Sequence, residues 1–319
     1  MTEQDTLTLS GKKIWVTGHT GMVGSAIVRR LLSEKCNILT VAHGSVDLTR
    51  QEEVENWIVD NKPDIVIVAA AKVGGIHANS KLPAEFLYNN LMIEANIIHA
   101  SHRVGVEKLL FLGSSCIYPR NTSQPIKEEQ LLAGPLEATN EYYALAKIAG
   151  IKLCQAYRAQ YGDNFISIMP CNLYGPNDNF HPEYSHVPAG LLKRFHEAKL
   201  LNSPSVTVWG SGAPLREFLH VDAMSDASVF ILKHYSGKGH LNVGCGQDIS
   251  IADFADKIKR IVGYRGQITF DTTRPDGTLR KLLDISKLRN LGWETKVDLD
   301  TGIEAYYKWF LNNQNSIKQ

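Results

Sequence analysis

Two short apolar runs constrain the fold of this chain more than any other feature. Residues 64–70 (DIVIVAA) and 108–113 (KLLFLG) show no alternation of polar and apolar positions. Such runs are typical of parallel strands that are covered by helices on both faces. Other segments alternate around them, with strands expected at 13–17, 37–41 and 165–169 and helices at 22–34, 51–60, 83–104 and 140–161. This alternation predicts an α/β fold with a doubly wound parallel sheet and right-handed crossovers.

The chain changes character after Pro170. Residues 171–190 are rich in Asn, Gly, Pro and His and lack periodicity, which predicts a long functional loop. The remainder mixes short strands with helices, so we expect a smaller, mostly helical α+β domain. Its strands are expected at 206–209, 240–243 and 267–270, and its helices at 188–199, 222–235, 251–262 and 299–312.

These patterns divide the chain at residue 170. We expect residues 11–170 to form the doubly wound domain and residues 171–319 to form the second domain. Residues 205–240 are expected to return to the first domain. The polar residues 1–10 are expected to form a loose tail.

Composition argues against several classes of function. The 34 basic and 33 acidic residues nearly cancel, so neither a nucleic-acid partner nor a charged membrane surface is expected. No apolar run is long enough to span a bilayer. The five cysteines are irregularly spaced and form no CxxC pair. This argues against a disulfide framework or a metal site and favours a reducing cytoplasm.

A glycine-rich segment follows the first strand and opens the first helix. Its sequence is Gly18-His19-Thr20-Gly21-Met22-Val23-Gly24. Gly18 would permit a tight turn, Gly21 would let the backbone approach a pyrophosphate, and Gly24 would allow close helix packing. Free N–H groups at a helix N-terminus suit phosphate. The segment predicts a dinucleotide-binding (Rossmann) domain, the alternative being a purely structural turn.

The end of the second strand bears on the choice between NAD and NADP. An acidic residue there favours NAD, whereas a basic residue favours the 2′-phosphate of NADP. This chain has Ala42-His43-Gly44-Ser45 and lacks the acidic residue. We therefore predict NADP(H), with His43 and Ser45 as phosphate contacts.

Tyr143 and Lys147 lie four residues apart on a predicted helix and therefore share one face. An ammonium beside a phenol lowers the pKa of the phenol and suits it for proton exchange with a sugar oxygen. The spacing alone is weak evidence, because such a pair also arises by chance on a solvated face. Ser114 strengthens the catalytic interpretation, because it follows a buried strand at the edge where doubly wound folds bind ligands.

Cys116 and two histidines are candidates for acid–base chemistry. If the chain stays extended, Cys116 and Ser114 point to the same side. A thiol with a lowered pKa can act as a general base, and simple burial of the thiol is an equal alternative. His181 and His186 lie in the long loop, where either could supply the matching acid or cap the loop.

Four further side chains are candidate ligand contacts. Arg194, Arg216 and Lys281 could grip phosphates, and Trp209 could stack on a base. Surface ion pairs and a core aromatic are the alternatives. Nothing in their spacing ranks one interpretation above the other.

Together these residues resemble the extended short-chain dehydrogenase/reductase family, over about residues 12–313. The resemblance rests on the glycine segment, on Ser114 with Cys116, and on Tyr143 with Lys147. Further matching segments are 69–75 (AAAKVGG), 110–119 (LFLGSSCIYP), 140–147 (NEYYALAK), 170–178 (PCNLYGPND), 179–182 (NFHP), 208–212 (VWGSG), 216–222 (REFLHVD), 274–277 (RPDG) and 280–284 (RKLLD). The Ser-Ser-Cys and Asn-Phe-His-Pro segments are specific to one branch of this family.

The resemblance implies a role for each candidate. Ser114, Tyr143 and Lys147 would form a reductase triad, with Cys116 as the general base and His186 as the general acid of an epimerisation. The implied cofactor contacts are Gly18, His19, Thr20, Gly21, Met22, Val23, Gly24, His43, Ser45, Leu112, Gly113, Ser114, Ser115, Lys147, Pro170, Cys171, Asn172, Leu173 and His186. The implied contacts of a nucleotide sugar are Arg194, Trp209, Arg216 and Asp276.

The resemblance also implies a substrate and an assembly. The substrate would be GDP-4-keto-6-deoxy-D-mannose, and the assembly a homodimer in which helices 83–104 and 140–161 form a four-helix bundle. The chain departs from the family pattern at two positions: some relatives carry arginine where this chain has Thr20 and His43.

Two rival functions remain. One is a nucleotide-sugar 4-epimerase or 4,6-dehydratase of the same fold, and the other is a non-catalytic, NADP-sensing scaffold. A dehydratase would be expected to carry an acidic pair beside Ser114, where this chain has Ser115-Cys116. A scaffold has no use for a complete triad.

Overall fold

The computed structural model describes residues 6–274 and 276–317. Its strands are β1 (Lys13–Thr17), β2 (Asn37–Leu39), β3 (Ile65–Val68), β4 (Lys108–Leu112), β5 (Phe165–Pro170), β6 (Asn172–Tyr174), β7 (Ser205–Trp209), β8 (Leu215–Arg216), β9 (Phe218–His220), β10 (Leu241–Val243), β11 (Ile249–Ser250), β12 (Gln267–Asp271) and β13 (Arg280–Lys281). Its helices are α1 (Met22–Leu31), α2 (Gln51–Asn61), α3 (Ile76–Lys81), α4 (Pro83–Arg103), α5 (Glu141–Tyr161), α6 (Val187–Leu200), α7 (Val221–His234), α8 (Ile251–Val262), α9 (Ser286–Asn290) and α10 (Leu299–Asn312). No described helix combines the length and apolar character needed to cross a membrane.

The central sheet has six strands in the order β10-β5-β4-β3-β1-β2. Every neighbouring pair in it is parallel. Strands β3, β4 and β5 are buried along their whole length, because helices cover both faces of the sheet. The strand order reverses between β1 and β3, and doubly wound sheets bind ligands at such a switch point. The predicted fold class is confirmed.

A second, smaller core lies outside the central sheet. Apolar side chains of α6, α8 and α10 pack there against those of β7. Strand β7 pairs in parallel with β12. A three-stranded sheet, β11-β8-β13, and the pair β6-β9 complete this region. The expectation of a smaller, mostly helical α+β region is confirmed.

Part of the second half returns to the central sheet. Helix α7 packs against α1, and β10 extends the sheet beside β5. The predicted return of residues 205–240 is wrong for β7. Its residues alternate between exposed and buried, and a strand with one exposed face does not fit a doubly covered sheet. The domain division at residue 170 stays a prediction.

Several short elements lie outside the predictions. They are β6, β8, β9, β11, β13, α3 and α9. These strands have only two or three residues, too few for a periodic pattern, and distant segments decide their pairing. Strand β6 and the start of α6 also interrupt the predicted loop at 171–190.

The N-terminal segment packs more closely than predicted. Residues 1–5 of the predicted tail lie outside the described residues. Leu9 is 2 % exposed and belongs to the main core. The Leu7 N–H donates to the Lys233 carbonyl oxygen at 3.0 Å. The tail prediction is therefore wrong for these two leucines, because both find apolar or backbone partners.

Candidate active site

The glycine segment makes a compact turn between β1 and α1. Gly18 has a φ of +67°, and a Cβ there would come within 2.8 Å of Ala70, which follows β3. A Cβ on Gly24 would lie 2.2 Å from the Gly18 carbonyl oxygen. The Gly21 N–H donates to that same oxygen at 2.9 Å. Glycine at positions 18 and 24 is therefore a steric requirement of the turn.

The start of α1 suits a phosphate group. No side chain caps this helix, and its first turn contains no acidic residue. Its first N–H groups and the positive end of its dipole are thus available to an anion. Residues 18–24 therefore fit the pyrophosphate of a dinucleotide.

His43 and Ser45 follow the second strand. Strand β2 ends at Leu39, two residues earlier than predicted. Both side chains are exposed, in a turn where the Ser45 N–H donates to the Ala42 carbonyl oxygen at 2.9 Å. They are accessible to a 2′-phosphate, as the predicted contacts require.

Strand β4 carries Ser114 and Cys116 to the carboxyl edge of the sheet. A Cβ on Gly113 would lie 2.3 Å from the Met169 Sδ, so the chain passes very close to β5 here. Ser114 caps a short 3₁₀ helix (Ser115–Ile117), and its Oγ accepts a hydrogen bond from the Cys116 N–H at 3.5 Å. The chain therefore turns instead of staying extended, because the serine caps the turn.

The Cys116 thiol is half-buried. Burial raises its pKa above the usual range, while the charge of Lys281, a hydrogen bond with Ser114 and the charge of Lys147 oppose that rise. A base is effective only if it is ionised at the working pH. The neighbouring cations therefore favour the thiolate without outweighing the effect of burial.

Helix α5 presents Tyr143 and Lys147, and α4 supplies a partner for the lysine. The Lys147 Nζ lies 2.7 Å from the Glu94 Oε1, and both side chains are only 2 % exposed. It also lies 4.8 Å from the ring centroid of Phe111. Burial raises the pKa of Glu94, and the Lys147 ammonium opposes that rise. Neither Glu94 oxygen has a well-directed hydrogen bond, so the pair is a close ionic contact.

The pKa of Tyr143 differs from the expectation. Burial raises it well above its usual range, the charges of Cys116 and Glu94 add to the rise, and a hydrogen bond with Ser114 opposes it. The expected lowering by Lys147 is wrong for this structure, because burial of the phenol and the charges of Cys116 and Glu94 raise its pKa. The phenol is therefore protonated at neutral pH and suited to donate a proton.

Residues 170–173 continue β5 beyond the central sheet. Cys171 is buried, and its N–H donates to the Val243 carbonyl oxygen at 2.9 Å. The Asn172 side-chain amide donates to the Glu217 carbonyl oxygen at 2.8 Å, and β6 pairs with β9. The backbone of Pro170 to Leu173 is thus held firmly beside the edge that carries Ser114.

The structure distinguishes the two loop histidines. The His181 Nδ1 accepts a hydrogen bond from the Glu183 N–H at 3.2 Å, and its ring stacks on Tyr184 at 4.4 Å. His186 precedes α6 and is exposed. Partial exclusion of water by the surrounding protein lowers its pKa. His181 therefore supports the loop, whereas His186 is available for proton transfer.

Trp209 forms the centre of the predicted nucleotide-sugar contacts. It is 44 % exposed. The guanidinium groups of Arg194 and Arg274 lie 5.5 and 5.0 Å from its ring centroid. Asp276 accepts hydrogen bonds from the Ser211 N–H at 2.7 Å and from the Ser211 hydroxyl at 2.8 Å. The segment around Asp276 is thereby fixed close to Trp209.

Arg216 and Lys281 lie side by side on β8 and β13. The Arg216 guanidinium donates to two backbone oxygens, those of Leu215 at 2.9 Å and Asp276 at 3.3 Å. Burial lowers the pKa of Arg216 and of Lys281. This partly buried positive charge suits an anionic ligand.

Three residues of this region escaped the sequence analysis. Glu94 had a detectable signal, because it interrupts an apolar stretch (MIEANII) of an amphipathic helix. Ser211 and Arg274 lie in the matching segments 208–212 and 274–277, but the sequence gave them no role, since only the approach of two distant loops joins them to Asp276 and Trp209.

Comparison with known proteins places the chain among nucleotide-sugar enzymes. A model of the NAD-dependent epimerase/dehydratase family matches residues 14–244. A GDP-L-fucose synthase from Sinorhizobium fredii is 57% identical over 96% of this chain and 97% of its own length. The GDP-L-fucose synthase of Escherichia coli is 50% identical over 97% of this chain and 100% of its own length.

A solved structure extends the similarity to the whole fold. It is a GDP-L-fucose synthetase from Naegleria fowleri bound to NADP, with a TM-score of 0.91 and 27% identity. The match covers 99% of each chain.

Proposed function

This chain belongs to the NAD-dependent epimerase/dehydratase family, and from this premise we propose that it converts GDP-4-keto-6-deoxy-D-mannose to GDP-L-fucose. The proposed reaction inverts C3 and C5 and then reduces the C4 ketone. The names of the similar enzymes support GDP-L-fucose as the product. The resemblance noted in the sequence is confirmed, and NADP(H) is the cofactor that the NADP-bound neighbour supports.

One observation carries the proposal: a thiol lies within the hydroxyl cluster at the end of β4. The Cys116 N–H donates to the Ser114 Oγ at 3.5 Å, the Cys116 thiol also interacts with the Ser114 side chain, and the charge of Cys116 acts on Tyr143. A simple 4-epimerase or ketone reductase needs no such thiol. A 4,6-dehydratase would be expected to have acidic side chains where Ser115 and Cys116 stand.

The epimerisation follows from proton transfers on opposite faces of the sugar. The C4 ketone makes the protons on C3 and C5 removable. Cys116 takes one proton, and hydrogen bonds from Tyr143 and Ser114 to O4 stabilise the enolate. His186 then delivers a proton to the opposite face. Its lowered pKa reduces the protonated fraction at neutral pH but makes the protonated ring a better donor.

The reduction uses the other members of the cluster. Residues 18–24 would hold NADPH, which when bound would supply the hydride for C4. Tyr143 donates the proton to O4, because its raised pKa keeps the phenol protonated. Lys147 would hold the nicotinamide ribose, and Glu94 keeps the lysine in place. Residues 170–173 would line the nicotinamide side.

Residues of the second region would hold the GDP-sugar. Trp209 offers an exposed ring for the base, with Arg194 beside it. Arg216 would bind the diphosphate, because its guanidinium donates to backbone oxygens and forms no ion pair among the described residues. Asp276 would contact the nucleotide from the loop that Ser211 holds. This arrangement supports the division into a cofactor domain (11–170) and a substrate domain (171–319).

We extend the proposal to a homodimer through α4 and α5. These helices pack against each other and expose large apolar side chains, among them Tyr88, Tyr142, Leu145 and Tyr161. A second copy would bury them in a four-helix bundle.

A cytoplasmic location is also proposed, supported by five free thiols in the described structure.

The experiment that tests the function is NADPH oxidation with GDP-4-keto-6-deoxy-D-mannose in deuterated water, followed by product identification. We expect GDP-L-fucose labelled at C3 and C5. Oxidation without label would leave a simple ketone reductase. No oxidation would exclude this substrate and favour another nucleotide sugar or the NADP-sensing scaffold.

Two variants divide this reaction into its halves. Cys116→Ser should lose both label and product, because no base remains. Tyr143→Phe should keep label exchange but lower NADPH oxidation about 10²–10⁴-fold, the usual contribution of a positioned acid. Unchanged turnover by Cys116→Ser would contradict the role given to the thiol.

A further inference from the structure

Glu217 is a buried carboxylate outside the proposed catalytic cluster. It lies between β8 and β9, directly after Arg216, and it is 0 % exposed. It forms no ion pair within the described part of the chain. Taking a carboxylate out of water without a nearby cation is costly, so the hydrogen bonds around it must offset that cost.

Two distant segments meet at this carboxylate. Its Oε1 accepts a hydrogen bond from the Gly246 N–H at 2.7 Å, and its Oε2 accepts one from the Leu283 N–H at 3.0 Å. Gly246 follows β10 of the central sheet, whereas Leu283 follows β13 of the second region. A Cβ on Gly244 would lie 2.2 Å from the same Oε1, so the chain after β10 passes directly against the carboxylate. Glu217 thus joins the end of the central sheet to the strand that pairs with β8.

The backbone of Glu217 adds a third link. Its carbonyl oxygen accepts a hydrogen bond from the Asn172 side-chain amide at 2.8 Å, within the segment that would line the nicotinamide. On the opposite side, β8 and β13 place Arg216 beside Lys281. Glu217 therefore stands where the cofactor side and the two cations of the second region meet, and its three hydrogen bonds fix one against the other.

We propose that Glu217 is a positioning residue for the nucleotide sugar: its carboxylate holds β13 against the end of the central sheet and so keeps Arg216 where the diphosphate binds. The inference rests on the proposed function, which assigns the diphosphate to Arg216. No bond to Glu217 forms or breaks in the reaction.

Glutamine at this position separates the two hydrogen bonds. It has nearly the same shape as glutamate, but it offers one acceptor oxygen and an NH₂ donor. It therefore cannot accept from the Gly246 N–H and the Leu283 N–H together. One of the two segments is released, and the diphosphate site loses its fixed position relative to the cofactor.

Glu128 offers a matched control. It is also a buried glutamate, and its Oε1 accepts a hydrogen bond from the Asn242 backbone N–H at 3.1 Å. Its Oε2 lies 3.2 Å from the Lys287 ammonium. These partners lie outside β8 and β13, so Glu128→Gln removes a buried carboxylate without loosening the strand that carries Arg216.

The test is calorimetric titration of GDP and of NADP⁺ into Glu217→Gln at pH 8. Burial raises the pKa of Glu217 to about 7, and hydrogen bonds from nearby backbone N–H groups oppose that rise, so the wild-type carboxylate is mostly ionised at pH 8. We expect the affinity for GDP to fall at least about tenfold and the affinity for NADP⁺ to stay unchanged. In turnover, the KM for the GDP-sugar should rise while kcat is kept. Glu128→Gln should keep both affinities.

Two further measurements address the carboxylate itself. Gly244→Ala displaces it without changing its charge, because the new Cβ would meet Oε1, so the affinity for GDP should fall in this variant too. Hydrogen exchange followed by mass spectrometry should be faster in Glu217→Gln for the peptides that contain Gly246 and Leu283.

Wild-type affinity for GDP in a folded Glu217→Gln protein would overturn the inference, and faster hydrogen exchange beside it would leave Glu217 a purely structural role. If the glutamine variant does not fold, Glu217→Asp is measured instead, with the same expected direction, because its shorter side chain cannot reach both N–H groups. A wild-type protein that binds GDP but makes no GDP-L-fucose would refute the proposed function alone. A wild-type protein that binds no GDP would overturn the role given to Glu217.

Discussion

The two lysines that act on Cys116 have opposite surroundings. Lys147 comes from the long helix α5, is 2 % exposed and contacts Glu94 at 2.7 Å. Lys281 comes from the two-residue strand β13 and has a second cation, Arg216, as its strand neighbour. The Lys147 ammonium has a carboxylate within ion-pair distance, whereas the Lys281 ammonium has none among the described residues. The sheet side of the site therefore pairs its buried lysine with a carboxylate. The second region instead presents a lysine that has no ion-pair partner among the described residues.

The largest effect on stability is expected from breaking the Glu94–Lys147 ion pair. Glu94→Met should lower the free energy of unfolding by about 3–5 kcal/mol, because Lys147 would remain buried without a partner. The double variant Glu94→Met/Lys147→Met should recover most of this loss, since two apolar side chains replace the pair. Urea denaturation followed by circular dichroism measures both.

The exposed pair Lys12–Glu107 is the control for that comparison. These side chains are 34% and 43% exposed at a distance of 2.6 Å. Glu107→Gln should change the free energy of unfolding by no more than about 1 kcal/mol. A Glu94→Met loss as small as this would show that Lys147 does not depend on Glu94.

A smaller effect is expected from the glycine turn on the sheet side. Gly24→Ala places a Cβ 2.2 Å from the Gly18 carbonyl oxygen, so the turn must open and the phosphate site must shift. We expect NADPH binding to weaken at least about tenfold, consistent with the 1–3 kcal/mol usual for overpacking. Fluorescence titration of NADPH measures the affinity.

Gly239→Ala is the matched control, since a Cβ there would lie an ordinary 3.8 Å from the Tyr235 hydroxyl. Its NADPH affinity should equal that of the wild type. Equal affinity in Gly24→Ala as well would mean that the turn does not shape the cofactor site.

The smallest effect on stability is expected from removing the positive charge of Lys281. Lys281→Met should change the free energy of unfolding by no more than about 0.5 kcal/mol, because no ion pair is lost within the described structure. Urea denaturation beside Glu94→Met measures the contrast between the two sides. A loss as large as that of Glu94→Met would show that Lys281 has a structural partner and would remove the distinction between the two lysines.

The main elements of the fold were predictable from local patterns. The continuous apolar runs at 64–70 and 108–113 became the buried strands β3 and β4, and α4 and α5 begin and end within one residue of their predicted bounds. Strands β8 and β13 could not be predicted in this way, because two residues carry no periodicity. The pairing of Lys281 with Arg216 was consequently beyond the reach of sequence reasoning.

The candidate site shows the same division. Gly18 to Gly24, Ser114 and the Tyr143–Lys147 spacing were visible because each motif lies on one element or one turn. The difference between His181 and His186 became visible only when the Glu183 N–H was found to donate to the His181 ring. Likewise, the pKa of Tyr143 rises where the motif alone predicted a fall, since the phenol is buried and the charges of Cys116 and Glu94 add to the rise.

Local sequence therefore determined which residues form strands, which form helices and which face each element buries, because backbone preference and periodicity act over a few neighbours. The tertiary structure decided which charges meet. Glu94 reaches Lys147 because α4 packs on α5, and Lys281 lies beside Arg216 because β13 pairs with β8. Electrostatic energies depend on distance and burial in space, and neither quantity is encoded in the spacing of residues along the chain.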